Sequence, residues 1–222
     1  MSQTMLIPQA ILLLGPTGSG KTPLGETLQA RGLADGRRCA HFDFGESLRR
    51  IAAGRLNVEE LTGDNRTLIA EVLERGTLLE DEHFHVAEKI LRAFIAEQTT
   101  RLFKPATGYR LPATDHPTII LNGLPRHVGQ ADDVDRIVAV QTVIALQCTP
   151  ETILARLAAN TGGDRAGRID DDPASVLKKL DLYTSRTAPL LDHYRRLGAA
   201  VICLTVGPET TADDAWRELI DR

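Results

Sequence analysis

The stretch Gly15-Pro-Thr-Gly-Ser-Gly-Lys21-Thr22 follows the apolar run Ala10–Leu14 without a break. It limits the fold more than any other feature of the chain. A short apolar run ended by glycine describes a buried strand. Lys21–Ala30 then carries a helical pattern, so strand, glycine turn and helix come in direct succession. That order belongs to a parallel sheet with helices packed on its faces. The spacing also meets G-x-x-x-x-G-K-[ST] in full. Glycines let the backbone curl until several N–H groups point inward, and the helix N-terminus adds partial positive charge. The expected phosphate-binding residues are Gly15, Pro16, Thr17, Gly18, Ser19, Gly20, Lys21 and Thr22. Lys21 is placed to reach the outer phosphates and Thr22 to ligate Mg²⁺. This cradle identifies a phosphate donor, and leaves open whether the phosphate is hydrolysed, transferred or only held.

Three further apolar runs, Thr118–Leu121, Val140–Gln147 and Ala199–Thr205, predict buried strands, and Arg38–Phe42 is a weaker fifth. Helical patterns cover Gly45–Ala53, Arg66–Arg75, Asp81–Gln98, Thr149–Ala159 and Thr211–Arg222. Asp172-Pro173 is a strong helix start, and that helix is expected to run to about Arg196. Thr99–Pro117, with four prolines and glycines, is expected to be a long loop, and Asn160–Asp172 a flap over the site. The length of 222 residues suits one α/β domain with inserts.

A net charge of -4 gives no general attraction to nucleic acid or to an anionic membrane. The N-terminal apolar run is too short for export or for spanning a bilayer, so the expected location is cytoplasmic. Cys39, Cys148 and Cys203 are odd in number and lack metal spacing, and are expected to be reduced thiols used as small packing residues.

A second motif, Asn122-Gly-Leu-Pro-Arg126 with Gln130 four residues on, ends the strand Thr118–Leu121. It therefore faces the same sheet edge as the phosphate loop. Together with the loop it resembles the nucleoside monophosphate kinase family, of which adenylate kinase is the best-known member. Asn122–Gln130 is similar to the family's D-G-F-P-R…Q. His41-Phe-Asp-Phe-Gly-Glu-Ser-Leu-Arg49 is similar to S-T-G-D-x-L-R, and Gly76-Thr-Leu-Leu-Glu-Asp-Glu82 to G-x-L-V-x-D-E. Arg168-Ile-Asp-Asp171 resembles the R-x-D-D after the lid, and Tyr183 with Thr187-Ala-Pro-Leu190 the closing Y…T-x-P-L.

The resemblance implies a three-layer α/β/α fold with a five-stranded parallel sheet in the order 2-3-1-4-5. The core would span about 8–42, 118–158 and 173–222, with an acceptor-binding helical insert at 43–98, the loop at 99–117 and a short lid at 159–172. It implies ATP and Mg²⁺, a nucleoside monophosphate or similar acceptor, no structural zinc, no nucleic-acid or membrane partner, and a monomer. By resemblance Arg49 and Arg126 hold the acceptor phosphate, and Phe44, Gly45, Leu79, Gly123 and Gln130 complete the acceptor site. Lys21, Arg126 and Arg168 neutralise the charge in flight, and Asp170 or Asp171 orients the lid arginines. Arg156 lies against the donor base. Transfer of a phosphoryl group needs such positioning and neutralisation more than covalent help.

The chain departs from this pattern at several positions. Asn122 stands in place of an aspartate near the metal, and Asp43, just after the second strand, is a candidate to serve instead or to cap the following helix. Phe44 replaces a small residue and narrows the acceptor pocket, where its ring could stack on a base. Lys179 falls where the family has an arginine, and Arg165 in the flap could substitute. Two other readings stand beside nucleotide phosphorylation: a kinase of a small hydroxyl metabolite with Asp43 as base, and a weakly active nucleotide-binding regulator.

Overall fold

The computed structural model describes residues 7–102, 116–163 and 173–221. Its strands are β1 (Gln9–Leu14), β2 (Cys39–Asp43), β3 (Thr118–Asn122), β4 (Ala139–Gln147) and β5 (Ala200–Thr205). Its helices are α1 (Lys21–Arg31), α2 (Phe44–Ala52), α3 (Gly63–Arg75), α4 (Phe84–Leu102), α5 (Ala131–Asp135), α6 (Pro150–Ala159), α7 (Pro173–Leu182), α8 (Leu190–Arg196) and α9 (Ala212–Ile220). The sheet is parallel throughout in the order β2-β3-β1-β4-β5, as the resemblance implied.

Alternate strand residues face opposite layers. Ala10, Leu12, Phe42 and Leu121 join α2, α4 and α8 in one core, while Ile11, Leu13, Ile120 and Leu204 pack on Leu24 and Leu28 of α1 and Ala215 of α9. Trp216 closes the second layer, its indole N–H donating to Gly32 O at 3.1 Å with Arg31 over the ring. The cysteines are free, and burial pushes the Cys39 thiol up to about 11. Strand register sets the site. Asn122 is paired with Leu13 of β1 and with Asp43 of β2, so all three strands end at one level beside the phosphate loop. On either side of β1 the chain order turns in opposite directions, which opens a crevice at the strands' C-terminal ends.

Local chemistry explains where the elements differ from expectation. α3 begins at Gly63, ahead of the expected Arg66, because Thr62 and Asn65 form a reciprocal capping box. The first residues of the expected loop at 99–117 continue α4 to Leu102, and 103–115 lie outside the described residues. The helix expected from Pro173 to Arg196 is interrupted. Pro189 has no N–H to donate, and its ring would strike the Ser185 carbonyl in a regular helix. Tyr183–Thr187 widens into a π turn instead, with Ala188 N–H donating to Tyr183 O at 2.8 Å. Such turns are frequent at functional sites.

Candidate active site

The phosphate loop, the ends of β2 and β3, helix α2 and the α7 arm enclose a cavity of about 250 Å³. On the loop side Gly15, Thr17, Gly18, Gly20, Lys21 and Thr22 line it. Gly20 turns with φ 96°, a conformation that side chains resist, and hands the chain to α1. Lys21 Nζ lies back across the loop and donates to the carbonyls of Gly15 and Pro16, each at 2.7 Å. Pro16 and Ser19 do not line the cavity, and Ser19 Oγ is buried inside the loop.

Thr22, Asp43 and Asn122 meet in a triangle. Thr22 Oγ1 donates to Asp43 Oδ2 at 2.7 Å. Asn122 Nδ2 donates to the same oxygen at 2.8 Å and to Thr22 Oγ1 at 3.0 Å. The other carboxylate oxygen, Oδ1, accepts from Glu46 N–H at 2.8 Å and caps α2. Asp43 thus takes both places open to it, beside the loop threonine and as helix cap. One hydroxyl and one carboxylate, both oxygen ligands, suit a hard cation that keeps most of its waters and takes further oxygens from a nucleotide.

Across the cavity two guanidinium groups converge over Gly45. A methyl group placed on Gly45 would lie 3.5 Å from Arg49 Nη1 and 3.6 Å from Arg126 Nη2. Arg126 Nε donates to Gly123 O at 2.9 Å. Gly123, at φ 84°, makes the turn that lets that side chain fold back. Burial pulls the Arg126 guanidinium below its ordinary range, the Asp43 charge opposes this and Arg49 adds to it. A group so desolvated and so close to a second guanidinium favours a multiply charged anion. Leu48, Val72, Leu73 and Leu79 line the same end of the cavity as an apolar wall. Phe44 borders the cavity but is 1% exposed, its ring 6.1 Å from that of Phe42. This is a packing position and not the open face for stacking that its sequence place suggested.

Two other expected site residues sit behind the cavity. Gln130 is fully buried, its Oε1 accepting from Arg126 N–H at 2.9 Å and its Nε2 donating to Leu79 O at 2.7 Å. Both amide ends are engaged, so Gln130 ties Arg126 to Leu79. Arg156, expected against the donor base, is 4% exposed. It donates to Gly18 O in the phosphate loop at 3.0 Å and to Gly207 O and Thr210 O in the β5–α9 turn at 2.8 and 2.7 Å. It is a staple between two loops. Lys179 of α7 lines the cavity, while Arg165, Arg168, Asp170 and Asp171 lie outside the described residues.

The arm α7 and its π turn bring contacts that composition and spacing did not show. Thr187 Oγ1 donates to Arg126 O at 2.7 Å, Arg186 pairs with both oxygens of Glu80 at 3.1 and 2.8 Å, and Lys178 Nζ donates to Arg75 O at 2.9 Å. Thr187 belongs to the T-x-P-L match, which was the available signal for it. His127, beside Arg126, is buried with Nδ1 3.3 Å from Asp81 Oδ1.

His41 packs its ring into the space left by Gly25 of α1 and approaches Asn122 Nδ2 at 3.5 Å. Burial lowers its pKa from the ordinary 6.5, with Asp43 opposing. The unfolded chain therefore takes up this proton first as pH falls. The His41 contribution to stability is complete above the ordinary value and is lost as pH drops through the lowered one. Denaturant midpoints measured between pH 7.5 and pH 5 should fall more steeply for the parent than for His41→Gln. Parallel slopes would show that His41 is not the group responsible.

No family model matches the chain. Relatives do. An adenylate kinase of Xanthomonas campestris pv. campestris (strain B100) is 32% identical over 195 residues, 85% of this chain and 86% of that one. One of Stenotrophomonas maltophilia (strain K279a) is 32% identical over 196 residues with the same coverage. One of Haloarcula marismortui is 25% identical and covers 95% of this chain. Among solved structures, a gluconokinase from Sinorhizobium meliloti 1021 superimposes with a TM-score of 0.49 at 14% identity, covering 97% of this chain and 91% of that one. Nearly a third of positions shared along most of both sequences is a likeness of descent, and the chain belongs to the adenylate kinase family.

Proposed function

We propose that this protein transfers the γ-phosphate of Mg²⁺–ATP to the phosphate of a nucleoside monophosphate. The observation that carries this reading is the single cavity in which a phosphate loop faces two converged arginines backed by an apolar wall. The loop N–H groups and Lys21 hold the donor phosphates. Thr22 and Asp43, with Asn122 beside them, hold the cation, which when bound neutralises charge on the phosphates. Arg49 and Arg126 hold the acceptor phosphate in line, and Leu48, Val72, Leu73 and Leu79 cover the flat base. Gln130 and Arg156 act as positioning residues, the first for Arg126 and the second for the loop. Lys179, with Arg165 and Arg168 of the segment 164–172, supplies positive charge to the transferring group, and Asp170 of the same segment orients those arginines.

The test is to incubate the protein with Mg²⁺–ATP and a panel of nucleoside monophosphates while following ADP and the diphosphate products. Turnover on at least one monophosphate well above that of a Lys21→Ala control is the expected result. Tight ATP binding with no turnover would make the protein a nucleotide sensor. Turnover confined to hydroxyl metabolites would replace the acceptor class. A second measurement probes the acceptor side. Arg126→Lys keeps the charge but loses the planar fork, and kcat/KM for the acceptor should fall about a hundredfold. KM for ATP should stay within about threefold, since Arg126 is assigned no donor contact. A larger change in ATP KM than in acceptor kcat/KM would reverse the assignment.

A further inference from the structure

We infer that Asp43 and Asn122 form an interchangeable pair, in which one negative charge beside Thr22 can be carried from either β2 or β3. Strand register puts the two residues side by side at the sheet edge. Neighbouring strands lie about 4.8 Å apart, a gap that two short side chains close easily. Here Asn122 Nδ2 stands 3.0 Å from Thr22 Oγ1, within hydrogen-bond distance of the same hydroxyl that Asp43 Oδ2 meets at 2.7 Å. Both ends therefore touch the same atom, and only one of them is charged.

The hydrogen bonds work in either arrangement. As found, the Asn122 amide donates to the Asp43 carboxylate, which also accepts from Thr22 and from Glu46 N–H. With the charge moved, an asparagine at 43 would still cap α2 through its oxygen, since asparagine is as good a cap as aspartate. Its amide nitrogen would donate to the carboxylate at 122, and Thr22 would turn its hydroxyl to the same group. A carboxylate at both positions would set two like charges within hydrogen-bond distance, and one would hold a proton. A carboxylate at neither leaves the hydroxyl of Thr22 without an adjacent anion. Asn122 is on this account no loss of function. It is the positioning half of a pair whose charge lies on the other strand.

The inference rests on the reading of the loop as a magnesium–nucleotide site, and its test measures binding rather than turnover. A fluorescent methylanthraniloyl derivative of ATP is bound to the full chain, and Mg²⁺ is titrated from zero. In Asp43→Asn the Mg²⁺ concentration at half-effect should rise about tenfold or more. Binding of the analogue in EDTA should remain equal or become tighter. The double variant Asp43→Asn/Asn122→Asp should bring the half-point back to within about threefold of the parent. Asp43→Asn keeps every hydrogen bond if Asn122 turns its amide over, so the single variant should melt close to the parent. An unchanged half-point in Asp43→Asn would overturn the inference. So would a double variant that melts like the parent yet binds Mg²⁺ as poorly as the single one. Absence of turnover on every monophosphate would sink the proposed function and leave this readout standing. Turnover with an unchanged half-point would sink the pair alone.

Discussion

Lys21→Met should lower phosphoryl transfer from ATP about a thousandfold, the largest effect expected of any single side chain in the cavity. The lysine stands at the mouth of the loop and bonds two loop carbonyls, Gly15 O and Pro16 O. Methionine preserves the stem and its packing against the loop but removes the ammonium. Charge developing between donor and acceptor is then left to the arginines, Lys179 and the cation. The loss should fall chiefly on kcat, because neutralisation matters most when charge moves, while ATP affinity should drop only several-fold. Steady-state rates over a range of ATP concentrations separate the two. A loss confined to KM would show Lys21 to be a holder of ground-state phosphate and nothing more. The melting temperature serves as control, since the lost bonds join a side chain to one loop and cross no core.

Arg156→Met acts on stability instead. The guanidinium is buried and satisfies carbonyls on two loops that are far apart in sequence, Gly18 on one and Gly207 and Thr210 on the other. Methionine fills the volume and leaves those carbonyls without their donor. Removing one partner from a buried charged network costs about 3–5 kcal/mol. For a chain of this size that is a drop of roughly 10 °C in melting temperature. Because one end of the staple is the phosphate loop, which must be in order to bind, ATP should raise the melting temperature less in the variant than in the parent. A thermal shift series with and without Mg²⁺–ATP would reveal this. A melting temperature within a degree or two of the parent would mean that water replaces the donor at no cost.

Much of the architecture is written in short-range patterns. The apolar runs are long enough and polar-free enough to mark strands buried on both faces, and the glycine loop states its own geometry. Boundaries moved where a cap or a proline acted: Thr62 drew α3 forward, and Pro189 broke a helix whose apolar period runs on past it. The site was legible by kind and less so by role. Arg156 carries the charge expected of a ligand contact, but its partners are backbone carbonyls, which no residue type announces. Gln130 looks like a base-reading amide, and only the fold shows that both of its ends are taken. The meeting of Asp43 with Asn122 depends on strand register across 79 positions of sequence. Spacing could mark each as unusual and could not bring them together.

The contacts of the α7 arm have a bearing on motion. Three ties run from this one stretch to the acceptor side: Lys178 to Arg75, Arg186 to Glu80 and Thr187 to Arg126. All are polar, and two of them lie at exposed side chains open to water. Such ties contribute about 1 kcal/mol or less apiece, and water can take the place of either partner. This side of the cavity is therefore tied by three replaceable polar bonds. Ties of this kind can part and re-form in water, because each donor and each acceptor finds a solvent partner while the bond is open.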